Sequence, residues 1–337
     1  MAHRVVLKPS GHSFEVADGV NVLQAGLDAG YELPYSCRDG VCRTCRGTIV
    51  EGKVDYGKVN PAYLSDADKA RGFALLCQAR PLTDLVVEVK ELAGLHGIRP
   101  KIMPARVERL DKPAPDVAVL GLKLPANAAF RFVAGQYIDV LLKDGKRRSY
   151  SMANAPAEAG VGALELHVRQ TPGGLFTEQV FGAMKVRDLL RFEGPLGTFY
   201  LREDSAKPII LLASGTGFAP IKAIVEHMRA KGIQREATLY WGCRIERDLY
   251  MNDLAKSWAG PKLRYVPVLS DEKWGGRMGF VHRAVMEDFP DLSAHQVYAC
   301  GAPIVIESAR RDFSAQCRLP ADEFYADSFI TEADKAR

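Results

Sequence analysis

The chain has 337 residues, of which 47% are hydrophobic and 26% are charged, as is typical of a globular protein with two or three domains. Its formal net charge of +4 is too small to favour nucleic acid as a partner. The first residues contain no apolar segment like that of a signal peptide, and no apolar run approaches the roughly 20 residues that span a bilayer. We therefore expect a cytoplasmic protein with no membrane partner, whose cysteines are reduced thiols or metal ligands.

The first predicted domain, residues 1–91, is a small mixed sheet with one helix and a long loop. Apolar and polar residues alternate in its short strands, and the first two strands flank a turn rich in Pro, Ser and Gly. Asn21 is a typical N-cap for a helix that ends at Gly30. The predicted strands are residues 5–7, 13–16, 48–50 and 85–89.

Four of the seven cysteines lie in this first domain. Three of them share one loop, with four residues and then two residues between them, and the fourth follows after 31 more. This is the plant-type spacing of a 2Fe-2S cluster, and Gly40 suits a loop whose N–H groups turn toward the sulfurs. A structural zinc site is the alternative, although zinc ligands usually come as two close pairs, and free buried thiols are a third reading. The expected ligands are Cys37, Cys42, Cys45 and Cys77.

Two further domains are predicted after a linker. Residues 92–101 contain Gly and Pro without periodicity and are typical of a linker. Residues 102–203 hold regularly spaced short strands, which predicts a barrel or sandwich, and residues 204–337 alternate strand with helix, which predicts a parallel sheet covered by helices. The predicted strands of the former are 117–122, 137–142, 148–152, 164–169 and 188–192, and the strand and helix pairs of the latter are 209–213 with 219–230, 237–241 with 251–258, and 297–300 with 303–316.

The cysteine loop at residues 35–45 resembles the cluster loop of plant-type ferredoxin domains, and residues 76–77 resemble the segment with their fourth ligand. The ferredoxin loop usually has a small residue where Arg43 stands. Together with Arg38 and Arg46, Arg43 would place positive charge around the cluster edge. Two interpretations stay open, a solvated rim and a docking surface for an acidic partner.

The second domain carries a candidate flavin motif. Residues 147–151, Arg-Arg-Ser-Tyr-Ser, resemble the Arg-x-Tyr-Ser motif of the ferredoxin-NAD(P) reductase family, and residues 173–177 resemble its second phosphate segment. A guanidinium suits a pyrophosphate, an aromatic ring can stack on the isoalloxazine, and a hydroxyl can reach the reactive nitrogen of the ring. An edge strand with alternating polar residues is the alternative. The implied cofactor-binding residues are Arg148, Ser149, Tyr150, Ser151, His167, Arg169, Gly174 and Thr177.

The third domain carries a candidate dinucleotide loop. Residues 214–220 follow an apolar strand and open a helix, as a phosphate loop does, although a tight turn would look the same. Pro220 replaces the third glycine of the ordinary fingerprint, which favours the reductase-family version of the fold. Arg244 stands where an acidic residue would bind a ribose 2′-hydroxyl and where an arginine could meet a 2′-phosphate, so NADPH stays open beside NADH. The expected nucleotide contacts are Gly215, Thr216, Gly217, Arg244, Cys300 and Gly301.

Two last segments resemble the catalytic end of the same reductase family. Residues 298–303 resemble the Cys-Gly-x-Pro segment that places a thiol near the nicotinamide, and residues 324–329 resemble the closing aromatic segment that covers the flavin. A cysteine packed in the core is the alternative to the former. Eight residues follow Phe329, so the identity of the covering aromatic stays open. The residues implied to tune hydride transfer are Ser151, Cys300, Asp327 and Phe329.

The order of the three blocks, iron-sulfur then flavin then nicotinamide, is that of single-chain reductases. Along its full length the sequence is similar to the CDP-6-deoxy-3,4-glucoseen reductase type, with relatives among the reductases of aromatic-ring oxygenases, and residues 145–151, 213–223 and 325–329 carry that match. The resemblance implies a multidomain α+β and α/β protein with a β-grasp ferredoxin domain, an antiparallel β-barrel FAD domain and a doubly wound parallel-sheet nicotinamide domain.

This layout implies an NAD(P)H-dependent iron-sulfur flavoprotein oxidoreductase with a 2Fe-2S cluster, FAD and NADH as cofactors. Nicotinamide gives up two electrons as a hydride, a cluster accepts one, and FAD between them can do both. We expect single electrons to reach a partner enzyme, either a sugar-nucleotide dehydratase or an oxygenase component. The alternative is a redox-responsive sensor that uses the cluster and the flavin without turnover.

Overall fold

The computed structural model of the chain describes residues 2–95 and 97–331. These residues form two compact units, one of residues up to 97 together with those from 328 onward, and one of residues 98–327. The boundary lies inside the predicted linker, residues 92–101. The start of this linker is bonded to the first unit, since the Leu92 N–H donates to the Glu32 carbonyl at 2.8 Å. Among the described residues, no helix is both long and apolar enough to cross a membrane.

The first unit contains the predicted mixed sheet and helix. Its elements are β1 (His3–Lys8), β2 (Ser13–Val16), α1 (Val22–Asp28), β3 (Arg46–Glu51), β4 (Val54–Asp55), α2 (Asp66–Ala70), β5 (Phe73–Leu75), β6 (Arg80–Pro81) and β7 (Leu85–Glu88). The main sheet has the order β2-β1-β7-β3-β5, with β1 and β7 parallel and the other neighbours antiparallel. Asn21 accepts a hydrogen bond from the Gln24 N–H and caps α1, as its side-chain type predicts. The long stretch between α1 and β3 forms the cysteine loop.

The amino-terminal half of the second unit is an antiparallel barrel. Its elements are β8 (Lys101–Ala114), β9 (Val117–Lys123), β10 (Tyr137–Leu141), β11 (Arg147–Ser151), β12 (Ala163–Arg169), α3 (Leu175–Phe181) and β13 (Leu189–Leu196). The strands follow the order β11-β10-β13-β8-β9-β12, and a bridge between Met152 and Leu166 joins the two edges. Closure removes the exposed edges of the sheet and confirms the predicted barrel. Leu120, Val140 and Phe192 belong to its buried interior.

The carboxyl-terminal half of the second unit is a parallel sheet with helices between its strands. Its elements are β14 (Ile209–Ser214), α4 (Phe218–Lys231), β15 (Ala237–Cys243), α5 (Asn252–Ser257), β16 (Leu263–Leu269), β17 (Arg277–Met278), α6 (Val281–Asp288), β18 (Gln296–Gly301), α7 (Pro303–Gln316) and β19 (Phe324–Ser328). The strand order β17-β16-β15-β14-β18-β19 reverses direction between β14 and β18, which confirms the predicted doubly wound sheet. Ligands of such sheets bind where the carboxyl ends of the strands meet this reversal.

Candidate redox centres

The four cysteines of the first unit come together as two pairs. Cys42, Cys45 and Cys77 are buried and Cys37 is half-buried. The thiols of Cys37 and Cys42 are hydrogen-bonded to each other, and so are those of Cys45 and Cys77. A 2Fe-2S cluster needs two thiolates on each of its two irons, so the paired donor set fits this cluster. A mononuclear zinc site needs its ligands around one point, whereas these thiols are joined as two pairs.

Backbone N–H groups point at these sulfurs, as expected for a cluster loop. Asp39 and Cys42 donate to Cys37 Sγ at 3.3 and 3.4 Å, and the Cys37 N–H lies 3.5 Å from Cys42 Sγ. The hydrogen bond from Cys37 lowers the pKa of Cys42 to about 6 although burial opposes the shift, and the same contact raises the pKa of Cys37. The pair therefore releases its first proton easily and retains its second, because two thiolates repel each other. A bound metal offsets that repulsion.

Three residues of the cysteine loop have left-handed backbone conformations. Gly40 has φ 77°, which confirms the expected need for glycine, and Arg38 and Arg43 have φ 59° and 62°. A Cβ on Gly40 would lie 2.9 Å from Gln78 Cγ, and the Gln78 side-chain amide donates to the Arg38 carbonyl at 3.2 Å. The residue after the fourth cysteine thus holds the loop in place. The left-handed conformation of these two arginines could not be predicted from sequence, since arginine rarely adopts it.

The three arginines of the cysteine loop have different surroundings. The Arg46 guanidinium lies 4.5 Å from the centre of the Phe73 ring and its side chain is exposed. Arg38 and Arg43 are half-buried, and Arg43 donates a hydrogen bond to the Ala62 carbonyl. The predicted positive rim of the cluster therefore reaches solvent mainly through Arg46.

The candidate flavin motif forms β11, the strand next to the barrel closure. Side chains alternate along a strand, so Arg148 and Tyr150 share one face and Ser149 and Ser151 share the other. The Tyr150 ring packs against Phe176, with 5.2 Å between the ring centres. The Ser149 hydroxyl donates to Asp139 Oδ1 at 2.6 Å. Guanidinium and phenol on one face are the donor set that a flavin phosphate and ring require, so these residues fit FAD.

The second phosphate segment forms a tight turn that is held by hydrogen bonds to the Thr177 hydroxyl. The Thr177 hydroxyl lies 3.0 Å from the carbonyl oxygens of both Thr171 and Gly174 and accepts from the Thr171 N–H at 3.2 Å. A Cβ on Gly174 would lie only 2.5 Å from Thr177 Oγ1. Gly174 is therefore required for the tight turn, and the Thr177 hydroxyl shapes this turn at the start of α3.

Three of the four residues expected to tune hydride transfer lie together. The Ser151 hydroxyl at the end of β11 donates to Asp327 Oδ2 in β19 at 3.4 Å, and both residues are buried. Cys300 at the end of β18 is fully buried, and burial together with the Asp327 charge raises the pKa of its thiol. Cys300 therefore stays protonated at neutral pH. Phe329 follows β19, is half-buried and belongs to the first unit, so its place over a flavin stays a prediction.

The two glycine motifs of the nucleotide half pack against each other. A Cβ on Gly217 would lie 2.1 Å from the Cys300 carbonyl oxygen, and a Cβ on Gly301 would lie 2.4 Å from the Ser214 carbonyl oxygen. The Trp241 indole N–H donates to the Gly215 carbonyl at 2.9 Å. The loop with buried Thr216 then leads into α4, whose first turn has no side-chain cap. The start of α4 at the strand reversal is the place where such a fold binds a dinucleotide phosphate.

One face of β12 turns toward the nucleotide half and carries two of the expected cofactor residues. His167 is buried, and its ring nitrogens lie 2.7 Å from the Tyr250 hydroxyl and 3.0 Å from Glu165 Oε1. Lys222 of α4 reaches the same carboxylate oxygen at 3.2 Å and donates to the Ala153 carbonyl at 3.1 Å. Both His167 nitrogens therefore contact protein. Sequence reasoning missed Lys222 and Tyr250, because their partners are distant along the chain.

Arg244 lies just beyond β15, at the edge of the strand reversal. Its side chain is 66% exposed, and its Nε is 3.7 Å from Oδ2 of the buried Asp248. A carboxylate thus lies near Arg244, although it follows the strand end by several positions. The role of Arg244 as a nucleotide contact stays a prediction.

Three family models match the chain in the predicted order. A 2Fe-2S iron-sulfur cluster binding domain matches residues 5–82, an oxidoreductase FAD-binding domain residues 104–200, and an oxidoreductase NAD-binding domain residues 211–311. The CDP-6-deoxy-L-threo-D-glycero-4-hexulose-3-dehydrase reductase of Yersinia pseudotuberculosis is 42% identical, over 98% of this chain and 99% of its own. The chain belongs to the iron-sulfur flavoprotein reductases.

This reductase resembles other members along its whole length. The terephthalate 1,2-dioxygenase reductase component 2 of Comamonas sp is 36% identical over 98% of both chains. Among solved structures, the Amycolatopsis cytochrome P450 reductase GcoB matches with a TM-score of 0.79 and 33% identity, over 98% of this chain and 99% of that one. The reductase thus has the predicted 2Fe-2S, FAD and NAD cofactors and transfers electrons from NAD(P)H through FAD to the cluster. The sensor alternative is not favoured.

Proposed function

We propose that this reductase takes electrons from NADH and delivers them one at a time to a sugar-nucleotide dehydrase. The observation that carries this choice of partner is the 42% identity to a dehydrase reductase over almost the entire length of both chains. The terephthalate 1,2-dioxygenase and phenol 2-monooxygenase reductase components match at 36% and 34%. The proposal places the protein in the cytoplasm, where a sugar-nucleotide partner would act.

Each domain contributes a defined set of side chains. FAD would supply the chemistry that turns a two-electron hydride into single electrons for the cluster. In the barrel, Arg148 would hold the flavin pyrophosphate through its planar guanidinium, and Tyr150 would hold the ring. In the first unit, the two thiol pairs would hold the cluster, and the N–H groups of their loop would stabilise the charge on the sulfurs. The remaining proposed cofactor contacts are Ser149, Gly174, Thr177, Gly215, Thr216, Gly217, Arg244 and Gly301.

The residues proposed to tune hydride transfer are buried together, away from water. Asp327 accepts the Ser151 hydroxyl hydrogen, which would leave the lone pairs of the Ser151 oxygen available to a bound flavin. The Cys300 thiol would contribute shape and weak polarity beside a bound nicotinamide, since its raised pKa disfavours the nucleophilic thiolate. Ser151, Cys300 and Asp327 are each at most 5% exposed. Exclusion of water protects reduced cofactors from side reactions.

NADH is the proposed donor because of the charge next to Arg244. Asp248 lies 3.7 Å from this guanidinium, and a carboxylate at this place favours a ribose 2′-hydroxyl over a 2′-phosphate. The domain limits proposed from the sequence, residues 1–91, 102–203 and 204–337, assign one cofactor to each domain.

Two anaerobic measurements test the proposed function. Rapid mixing with NADH should bleach the flavin absorbance and then the cluster absorbance, whereas a sensor without turnover would leave both unchanged. The reduced protein is then mixed with a purified sugar-nucleotide dehydrase or with a purified terminal oxygenase. We expect the dehydrase to reoxidise the cluster about tenfold faster, because cognate surfaces orient the two centres. Faster reoxidation by the oxygenase would overturn the choice of partner.

A further inference from the structure

Lys222 is a buried lysine whose side chain reaches from the nucleotide half to the barrel. It lies in the second turn of α4 and is only 7% exposed. Its Nζ donates to the Ala153 carbonyl at 3.1 Å and lies 3.2 Å from Glu165 Oε1 and 2.7 Å from Glu226 Oε1. These three oxygens match the three N–H groups of the ammonium group. Two of them, those of Ala153 and Glu165, belong to the barrel.

The contact at Ala153 is made where the flavin motif ends. Ala153 is fully buried and follows Ser151 by two residues, and its N–H donates to the Glu165 carbonyl at 2.8 Å. Lys222 lies five residues beyond Gly217, the N-cap of α4, which is about 7.5 Å along a rigid helix. One side chain thus joins the segment that would hold the flavin to the helix that would hold the nucleotide.

A second buried contact joins the same two halves. His167 of β12 lies 2.7 Å from the Tyr250 hydroxyl. The Tyr250 ring packs edge-on against Phe218, the first residue of α4, with 6.2 Å between the ring centres. Well-packed apolar residues often stabilise such a place as well as a buried ion pair does. Stability alone therefore does not account for a lysine at position 222, whereas directional bonds specify one alignment of the two halves.

We propose that Lys222 is a positioning residue for hydride transfer, because it sets the alignment between the flavin strand β11 and the phosphate loop. It acts through Ala153 and α4 rather than by touching a cofactor. Binding of the NADH diphosphate needs only the nucleotide half, and reduction by a small donor needs only the flavin. Transfer from bound NADH needs both in register, and a misplacement of about 1 Å can slow a reaction about a hundredfold. The inference rests on the proposed function in taking NADH as the donor.

The test compares Lys222→Met with wild type and with Glu226→Gln in the FAD- and cluster-loaded protein. E226Q is the matched control, since it weakens the same ion pairs but leaves the bond to Ala153. At saturating NADH, the rate of flavin bleaching should fall about tenfold or more in K222M and stay within about twofold of wild type in E226Q. Lys222→Arg keeps a charged donor and should recover part of this rate.

Three further readouts separate alignment from damage to either half. ADP-ribose affinity measured by calorimetry should stay within about twofold of wild type in K222M, and so should flavin reduction by N-benzyl-1,4-dihydronicotinamide, which has no diphosphate. Hydrogen exchange gives a readout that does not depend on activity. The amides of residues 150–156 should exchange about fivefold faster in K222M than in E226Q, because Ala153 loses its bond to α4.

The double variant K222M/E226Q separates alignment from stability. Neutralising Glu226 removes one of the carboxylates that K222M leaves without its cation, so the double variant should regain resistance to urea and stay slow with NADH. It also serves as the test protein if K222M alone does not fold. Recovery of the rate together with stability would overturn the inference.

The remaining outcomes have equally definite meanings. An unchanged rate with NADH in K222M would overturn the inference while leaving the proposed function intact. Weaker ADP-ribose binding, or slower reduction by the small donor, would assign the effect of K222M to one half alone and also overturn it. A wild type that NADH cannot reduce would instead contradict the proposed function.

Discussion

At the scale of residues, the ligands of the cysteine loop could be predicted from the sequence, whereas part of its backbone conformation could not. The spacing of Cys37, Cys42 and Cys45 predicted the ligands, because a cluster fixes the distances between its thiolates. Gly40 could be predicted to adopt positive φ. Arg38 and Arg43 could not, because their left-handed backbone is held by surrounding structure rather than by their own preference.

Gly40→Ala tests how strongly the loop depends on its contact with Gln78. The matched control is Gly11→Ala, since Gly11 has φ 78° and a Cβ there would meet nothing within 4 Å. Both variants carry the backbone strain, but only G40A must displace Gln78. About 1 kcal/mol of extra strain should lower the thermal midpoint of cluster bleaching by about 5 °C relative to G11A. Equal midpoints would show that the Gln78 contact does not support the loop.

The contacts of His167 could not be inferred from local sequence. The family resemblance implies a cofactor contact for His167, which stays a prediction, and its ring bonds to Glu165 and to Tyr250, which is 83 positions away. No periodicity or spacing relates these positions. The pairing of Ser151 with Asp327, 176 residues apart, could be approached only through resemblance to a family.

At the scale of elements, β12 and α4 are joined by buried charges. Burial alone would raise the pKa of Glu165, but the hydrogen bond from His167 and the Lys222 charge lower it to about 2. Lys222 is also 2.7 Å from Glu226 and only 7% exposed. Removal of one partner from such a network leaves an uncompensated charge. The network thus joins the barrel to the helix that follows the phosphate loop.

Lys222→Met should destabilise the nucleotide half by about 3 kcal/mol, since two half-buried carboxylates lose their buried cation. Lys231→Met is the control, because Lys231 is 46% exposed and 3.5 Å from Glu203, and such a pair contributes less than about 1 kcal/mol. All three tryptophans lie in this half, at 241, 258 and 274. Their fluorescence during urea unfolding therefore measures how much free energy of unfolding each variant loses relative to wild type. Similar losses of unfolding free energy in both variants would contradict a stabilising role for the charge network around Lys222.

The same variant has a defined pH dependence. A carboxylate with a lowered pKa contributes stability above its ordinary pKa of 4.5, and this contribution disappears as the pH falls toward 2. In wild type the Glu165 contribution, about 3 kcal/mol, should therefore decline over that range. In K222M the pKa of Glu165 moves back toward its ordinary value, so the stability gap to wild type should narrow on acidification. A gap that stays constant between neutral pH and pH 3 would argue against Glu165 as the partner.

Most elements could be predicted from their patterns, and two strands that the patterns missed share a physical cause. The helix Pro303–Gln316 and strands such as Val117–Lys123 have clear periodicity and clear ends. The strands Lys101–Ala114 and Leu263–Leu269 contain prolines, which argue against a strand when only local sequence is read. Their assignment depends on neighbouring strands that supply the pairing.

At the scale of the whole molecule, the order of the three domains follows from local motifs, and the partner does not. Each cofactor motif lies within a few consecutive residues, so the order iron-sulfur, flavin and nicotinamide can be read directly. The choice of electron acceptor depends on a surface assembled from several loops, of which Arg46 near the cluster is one exposed part. Spacing along the chain cannot identify such a surface.

The central claim is that electrons enter as a pair at the flavin and leave singly through the sulfur-bound cluster. Cys45→Ser removes one of the four proposed cluster thiols, and Cys317→Ser removes a buried thiol at the C-cap of α7 that the account does not use. The decisive measurement is anaerobic: flavin bleaching by NADH and cytochrome c reduction are followed in both variants. We expect C45S to keep flavin bleaching within about twofold of wild type and to lose about tenfold or more of its cytochrome c reduction, with C317S unchanged. Undiminished cytochrome c reduction by C45S would contradict the account.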